Sequence, residues 1–145
     1  MTDQIESPGG GQALLRLQRA INAHDLEQLL DCFAEDVDSR QPLHADRHFA
    51  GRVQVRRNWT QIFAGVPDLR AELIATAIDG DTAWAEWRWF GTRRDGAAFE
   101  LRGVTIHGLF AGRFNWVRLY MEPVANAGLG NQAAIQQAVG GASPR

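Results

Sequence analysis

Lysine is absent from this sequence: all fifteen basic residues are arginine. Schiff-base chemistry, which needs a side-chain amine, is thereby excluded. Cys32 is the only cysteine, so neither an internal disulfide nor a cysteine-rich zinc site can form; it falls in an apolar helical pattern and reads as a small core residue. Serine occurs only at positions 7, 39 and 143, and neither the G-x-S-x-G elbow of serine hydrolases nor a phosphate-binding G-x-x-x-x-G-K-S/T loop is present. No apolar run approaches about 18 residues and no charged, apolar leader opens the sequence, which predicts a cytoplasmic protein with no membrane partner. Fifteen basic and seventeen acidic residues leave a net charge of -2 with no long block of either sign, which argues against a nucleic-acid partner.

What is present is a 145-residue chain with 45% apolar residues, the profile of one domain able to bury a core without disulfides or metal. Residues 1–11, ending in Ser7, Pro8 and three glycines, predict a flexible tail. Leu14, Leu17 and Ile21 recur at helical spacing. Asp25 with Gln28 three residues on resembles a capping box, and Leu26, Leu29, Leu30 and Phe33 predict a second helix. From Asp36 to Ala50 the pattern is polar and irregular, and Gly51 precedes a third helix carrying Val55, Trp59, Ile62 and Phe63 on one face. Beyond Pro67 the hydrophobic period changes from 3.6 to 2, with turn signals at Asp79-Gly80, Asp95-Gly96 and Ala111-Gly112. Four antiparallel strands are expected near 69–78, 82–93, 98–110 and 113–122. Residues 124–145, rich in Ala, Gly, Gln and Asn, read as a C-terminal tail with a short helix near 131–139.

A two-residue Asp95-Gly96 turn would set Glu86 opposite Thr105 and Trp84 opposite His107, and a three-residue turn ending at Gly112 would set Val117 opposite Thr105. One sheet face would then carry Trp84, Glu86, Arg88, Phe90, Thr105, His107, Leu119 and Met121, and the other Trp87, Trp89, Arg102, Trp116, Arg118, Tyr120 and Glu122. Three helices cover only one face, so the second, charged and aromatic face predicts a homodimer contact. The expected architecture is α+β: three N-terminal helices on a strongly curved, mainly antiparallel four-stranded sheet, with room for a short edge strand, forming a cone with an internal pocket.

Three helices before a meander, with L-x-R-A-I-N-A-H-D-L-E at 17–27, C-F-A-E-D-V at 32–37, F-A-G-R-x-x-V-R at 49–56 and G-R-F-x-W-V-R-L-Y-M-E at 112–122, resemble the nuclear transport factor 2-like superfamily, and within it the SnoaL-like polyketide cyclase branch. The resemblance covers residues 12–123 and implies a cone that hosts isomerases, dehydratases, cyclases, epoxide hydrolases or adaptors. It also implies sites, and this sequence departs from them. The tyrosine, base and acid of the ketosteroid isomerases fall on Leu17, Gln41 and Thr105; the aspartate and histidine of the cyclases fall on Leu119 and Thr105. The limonene epoxide hydrolase aspartate also falls on Leu119, and its arginine–aspartate pair falls on Glu86 and Arg88 in one matching or Trp87 and Trp89 in another.

What the expected inner face offers instead is Glu86, Arg88 and His107: an imidazole as general acid or base, a carboxylate orienting it, and a guanidinium stabilising negative charge. The same three residues are also readable as a buried ion pair beside a core histidine. Gln41, His44, His48, Trp59, Phe63, Trp84, Phe90, Thr105, Leu119 and Met121 complete the candidate ligand site. His44 and His48 stand four apart around Asp46, but Pro42 and the polar surroundings make a loop there, so they read as ligand contacts at the cavity mouth, with no metal. The functional expectation is acid/base chemistry of the cyclase, dehydratase or isomerase kind on a small lipophilic or aromatic substrate, without a cofactor. Its alternative is a non-catalytic small-molecule binding module.

Overall fold

The structure, a computed structural model, describes residues 9–140. Helices α1 (Gly10–Ala23) and α2 (Leu26–Asp31) form a tight pair, followed by β1 (Phe33–Arg40), a single turn of 3-10 helix (Ala45–Arg47), β2 (Phe49–Ala50) and α3 (Arg52–Gly65). Four long strands then run consecutively, β3 (Arg70–Asp79), β4 (Thr82–Thr92), β5 (Ala98–Phe110) and β6 (Arg113–Pro123), before α4 (Asn131–Gly140). The sheet order is β2-β1-β6-β5-β4-β3.

Local chemistry accounts for the helices. The Asp25 carboxylate accepts from the Gln28 backbone N–H at 3.1 Å, capping α2 as the capping-box spacing implies. His24 ends α1 in the left-handed region at φ 52° and docks through Nε2 to the Leu69 carbonyl at 2.9 Å, its ring stacked on Phe63. One apolar face of α1, with Ala13, Leu14, Leu17, Ala20 and Ile21 buried, packs on the sheet. Asn22 clamps β3 to α1, accepting from the Ala71 N–H at 2.7 Å and donating to its carbonyl at 3.1 Å. Cys32 is buried, its thiol donating to the Gln28 carbonyl, and burial pushes its pKa up.

The α+β architecture is as expected, but among the described residues it has six strands and four α-helices, where a four-stranded sheet with room for a short edge strand and three N-terminal helices were expected; α4 is the short helix expected near 131–139. Phe33 opens a strand instead of closing the second helix, and the stretch read as irregular contains β1 and β2. In β1 only Phe33, Val37 and Ser39 are buried, so the alternation is diluted by four acidic and polar neighbours. Its place in the sheet comes from parallel pairing with β6, some 80 residues later in sequence, anchored by Phe114 N–H donating to the Cys32 carbonyl at 2.8 Å. Helix α1 starts at Gly10, inside the stretch assigned to the 1–11 tail; residues 1–8 lie outside the described residues. Gly10 is buried against Ile78, Ala83 and Leu109, where a larger residue has no room.

One turn decides the site. Between β4 and β5 the loop is three residues, Arg94 to Gly96: Arg93 N–H donates to the Ala97 carbonyl, Gly96 N–H to the Arg93 carbonyl, and Gly96 takes φ 87°. This is a type I turn followed by a left-handed residue, not the expected two-residue turn. One extra loop residue moves the register by one, so Glu86 pairs with Val104, and Ala85 pairs with Thr105. Every side chain of β4 changes face. At the β5–β6 hairpin the loop is the two residues Ala111 and Gly112, both at positive φ, with an irregularity just beyond. Partners there move by two, Leu119 facing Thr105 and Val117 facing His107, so β6 keeps its expected faces.

Candidate functional site

The concave face of the sheet and helices α1 and α3 enclose a cavity of about 90 Å³. One water needs roughly 10–15 Å³ of such space, so the cavity has room for a small organic ring system. Leu17 enters from α1, and Val55, Asn58 and Trp59 from α3. The sheet supplies Phe33, Val37 and Ser39 from β1, Trp87 and Trp89 from β4, Thr105 and His107 from β5, and Val117 and Leu119 from β6. Gln41 and Phe49 close the set from either end of the segment joining β1 to β2. The indoles of Trp59, Trp87 and Trp89 meet edge to face, Trp59 and Trp89 at 5.5 Å between ring centroids and Trp87 and Trp89 at 6.1 Å, so one wall is aromatic.

The inverted parity of β4 overturns the expected catalytic group. Glu86 and Arg88 lie on the convex face, away from the cavity, together with Trp84 and Phe90. Arg88 donates to Glu100 at 2.8 Å and lies 3.9 Å above the Phe90 ring, while Arg102 donates to the same Glu100 oxygen at 2.9 Å. That outer network replaces the proposed Glu86–His107 partnership. Trp87 and Trp89 take the inner positions, as the strand's own composition allows: Ala83, Ala85, Trp87 and Trp89 are uniformly apolar, whereas Trp84, Glu86, Arg88 and Phe90 mix charge with aromatics. Burying the uniform set costs no ionic desolvation. That contrast was readable in the sequence and outweighs the turn signal.

At the cavity wall three polar groups form a chain. The Trp87 indole N–H donates to Thr105 Oγ1 at 2.8 Å, and Thr105 Oγ1 is hydrogen-bonded to His107 Nε2 at 2.7 Å, the direction set by the imidazole tautomer. All three residues are at most 2% exposed. Burial drives the His107 pKa from 6.5 down to about 3, so the imidazole is neutral over the physiological range. Its Nδ1 is buried without a hydrogen-bond partner, and so is the indole nitrogen of Trp89.

Of the other expected ligand residues, Gln41, Trp59, Thr105 and Leu119 line the cavity. Met121 is buried on the inner face but outside the lining, and Phe63 stacks on His24 and packs beside Trp59. His44 bonds Glu122 at 3.1 Å and His48 bonds the Gln41 carbonyl at 3.2 Å; neither reaches the cavity. No group of three or more His, Cys, Asp or Glu side chains among the described residues is placed to hold a metal. Sequence reasoning missed Ser39, because its strand was read as a loop, and Asn58, although it shares the α3 face of Val55 and Trp59.

Residues 14–137 match the SnoaL-like domain. The chain belongs to the SnoaL-like domain family. No curated protein matches this SnoaL-like domain. Solved structures share its fold. IdmH from Streptomyces antibioticus, a proposed polyketide cyclase, is 20% identical with a TM-score of 0.65, covering 78% of this chain and 91% of its own. A Mycobacterium tuberculosis protein in complex with estradiol-17beta-hemisuccinate is 21% identical, with a TM-score of 0.66 over 77% of this chain and 92% of its own. A proposed ketosteroid isomerase from Kribbella flavida is 19% identical, with a TM-score of 0.64 over 92% and 89%. In this SnoaL-like domain Leu17, Gln41, Thr105 and Leu119, the positions where the resemblance sets the family's phenol and acids, all line the cavity, and all are uncharged. Sheet parity sets Trp87 and Trp89, not Glu86 and Arg88, where the epoxide hydrolase pair would face the cavity.

Proposed function

We propose that this SnoaL-like domain is a cytoplasmic binding module that holds a small, uncharged lipophilic or aromatic molecule in its cavity. The observation that carries this reading is the lining itself: none of its fifteen residues bears a charge at neutral pH, since His107, the one titratable group among them, ionises only near pH 3. A cavity walled by three indoles and aliphatic side chains gains free energy by excluding water from an apolar ligand, whereas a charged ligand would lose hydration with no counter-ion opposite it.

A second reading keeps catalysis, and His107 favours it: its Nε2 is bonded to the Thr105 hydroxyl while its Nδ1 has no partner, a pair that would move a proton on a bound substrate. The depressed pKa weighs against it, because an imidazole that resists protonation is a weak base.

Thermal-shift titration with lipophilic ring compounds, followed by mass spectrometry of the bound compound, separates the two. Ligand at 100 times its Kd adds about 2.7 kcal/mol to the folded state, a rise of several degrees in Tm. The binding reading expects the compound recovered unchanged and Glu86→Gln within about twofold of the parent affinity. Conversion abolished by His107→Gln with binding kept transfers the assignment to the enzyme reading. No shift with any compound overturns both.

We also place a second copy of the chain on the convex sheet face, where Trp84 is 44% exposed and Arg118 lies 4.9 Å over Trp116. A dimer elutes near twice 16.1 kDa, about 32 kDa; elution as a monomer overturns this contact.

A further inference from the structure

The three indoles of the cavity wall belong to a longer row of packed rings that runs from the end of α1 across α3 to β4. The His24 imidazole stacks on Phe63 at 4.5 Å between centroids, Phe63 meets Trp59 at 5.6 Å, Trp59 meets Trp89 at 5.5 Å, and Trp89 meets Trp87 at 6.1 Å. Each end of the row is pinned by a hydrogen bond. His24 Nε2 bonds the Leu69 carbonyl at 2.9 Å, and the Trp87 N–H donates to Thr105 Oγ1 at 2.8 Å. Trp87 and Trp89 stand on β4, which is paired on both sides, by β3 and β5, so they cannot retreat on the sheet side. Trp59 and Phe63 stand one turn apart on α3 and share its inner face. Trp59 therefore cannot swing aside without parting from Trp89 in front of it and Phe63 behind it, and the width of the cavity between sheet and α3 is held.

The space so held is small. Roughly six to nine waters would fill it, about 180–270 Å³ of liquid, whereas an apolar cavity of about 150 Å³ takes benzene. We infer that the row of rings is a size limit: the cavity admits one or two fused rings and turns away three, and Trp59 sets that limit. The inference rests on the reading of this cavity as the ligand site and adds the size of what it holds. Of the three indoles Trp59 alone comes from a helix, so it closes the space that the sheet leaves open. Trp59 is a specificity residue in this account, and His24, which acts on it through Phe63, is a positioning residue.

The test measures binding of naphthalene and phenanthrene, hydrocarbons of two and three fused rings, from the fluorescence of the probes themselves, in the parent, Trp59→Leu and His24→Asn. Apolar area alone favours the larger hydrocarbon, so a site without a size limit binds phenanthrene more tightly. The parent is expected to bind naphthalene at least about 10-fold more tightly, because a third ring must force a packed wall apart. In Trp59→Leu, which opens about one ring's worth of space, phenanthrene should gain about 10-fold, with naphthalene within about threefold of the parent. Asparagine tolerates the left-handed conformation of His24, φ 52°, but removes the ring stacked on Phe63, and should give phenanthrene a smaller gain. That variant keeps the test alive if Trp59→Leu fails to fold. A parent that binds phenanthrene as tightly as naphthalene overturns the size limit while the cavity remains a ligand site. A ratio of affinities unchanged in the folded variants overturns the role of Trp59 and His24. Failure of both probes to bind the parent overturns the site reading and this inference with it.

Discussion

Acidification should destabilise this protein well before its carboxylates titrate, and His107 is the reason. Unfolded, its imidazole takes a proton near pH 6.5; folded, burial beneath the helices holds the pKa down to about 3. Between those values the unfolded state binds more protons, so stability rises with pH. The His107 contribution is fully present above about pH 7 and is lost as pH falls from 6.5 toward 3. At 1.36 kcal/mol per pH unit, the loss reaches about 2 kcal/mol by pH 5. For a urea slope of about 2 kcal/mol/M, the unfolding midpoint falls by about 1 M between pH 7 and pH 5. Carboxylates with perturbed pKa values act lower still: hydrogen bonds from Arg88 and Arg102 hold Glu100 below its ordinary range, the Thr92 backbone N–H does the same for Asp68, and the Ala97 N–H for Asp95. The assay is urea unfolding by circular dichroism at pH 7, 6 and 5, in the parent and in His107→Gln. Glutamine reaches toward Thr105 as Nε2 does but cannot ionise, so the variant should lose about 2 kcal/mol of the pH dependence. Parallel curves for the two proteins across this window would refute the argument, because they would mean that the imidazole ionises equally in both states.

Two further outcomes follow from the backbone. Asp25→Ala removes the α2 cap and should lower stability by about 1 kcal/mol in thermal unfolding, an exposed change with no effect on the cavity. Gly103→Ala should cost more, at least about 2 kcal/mol, since Gly103 sits at φ 154° and a Cβ there meets the Tyr120 backbone carbonyl, which has no rotamer to escape through; an unchanged Tm would show that β6 can shift aside.

Much of the site was legible at the level of single residues. Gln41, Trp59, Thr105 and Leu119 line the cavity, Gln41, Thr105 and Leu119 at positions the resemblance named and Trp59 on the α3 face that helical spacing gives. Thr105 and His107 share the inner face for a purely local reason: they are two apart on one strand. The grouping of Glu86 and Arg88 with them was not local. It depended on counting the residues in a single loop, and the Gly96 signal fits a two-residue turn and a three-residue turn equally well.

By itself, then, the chain's sequence determined the helices, the four-strand meander and the absence of the family's acids, since helical and strand periodicities, capping residues and glycine turns act over a few residues. Only the tertiary structure decided which side of β4 faces inward and where β1 belongs. Side chains alternate with period two, so one loop residue exchanges Glu86 and Arg88 for Trp87 and Trp89. Strand β1 finds its partner some 80 residues away, a pairing that no local pattern encodes and that closes the cavity through Ser39 and Val37.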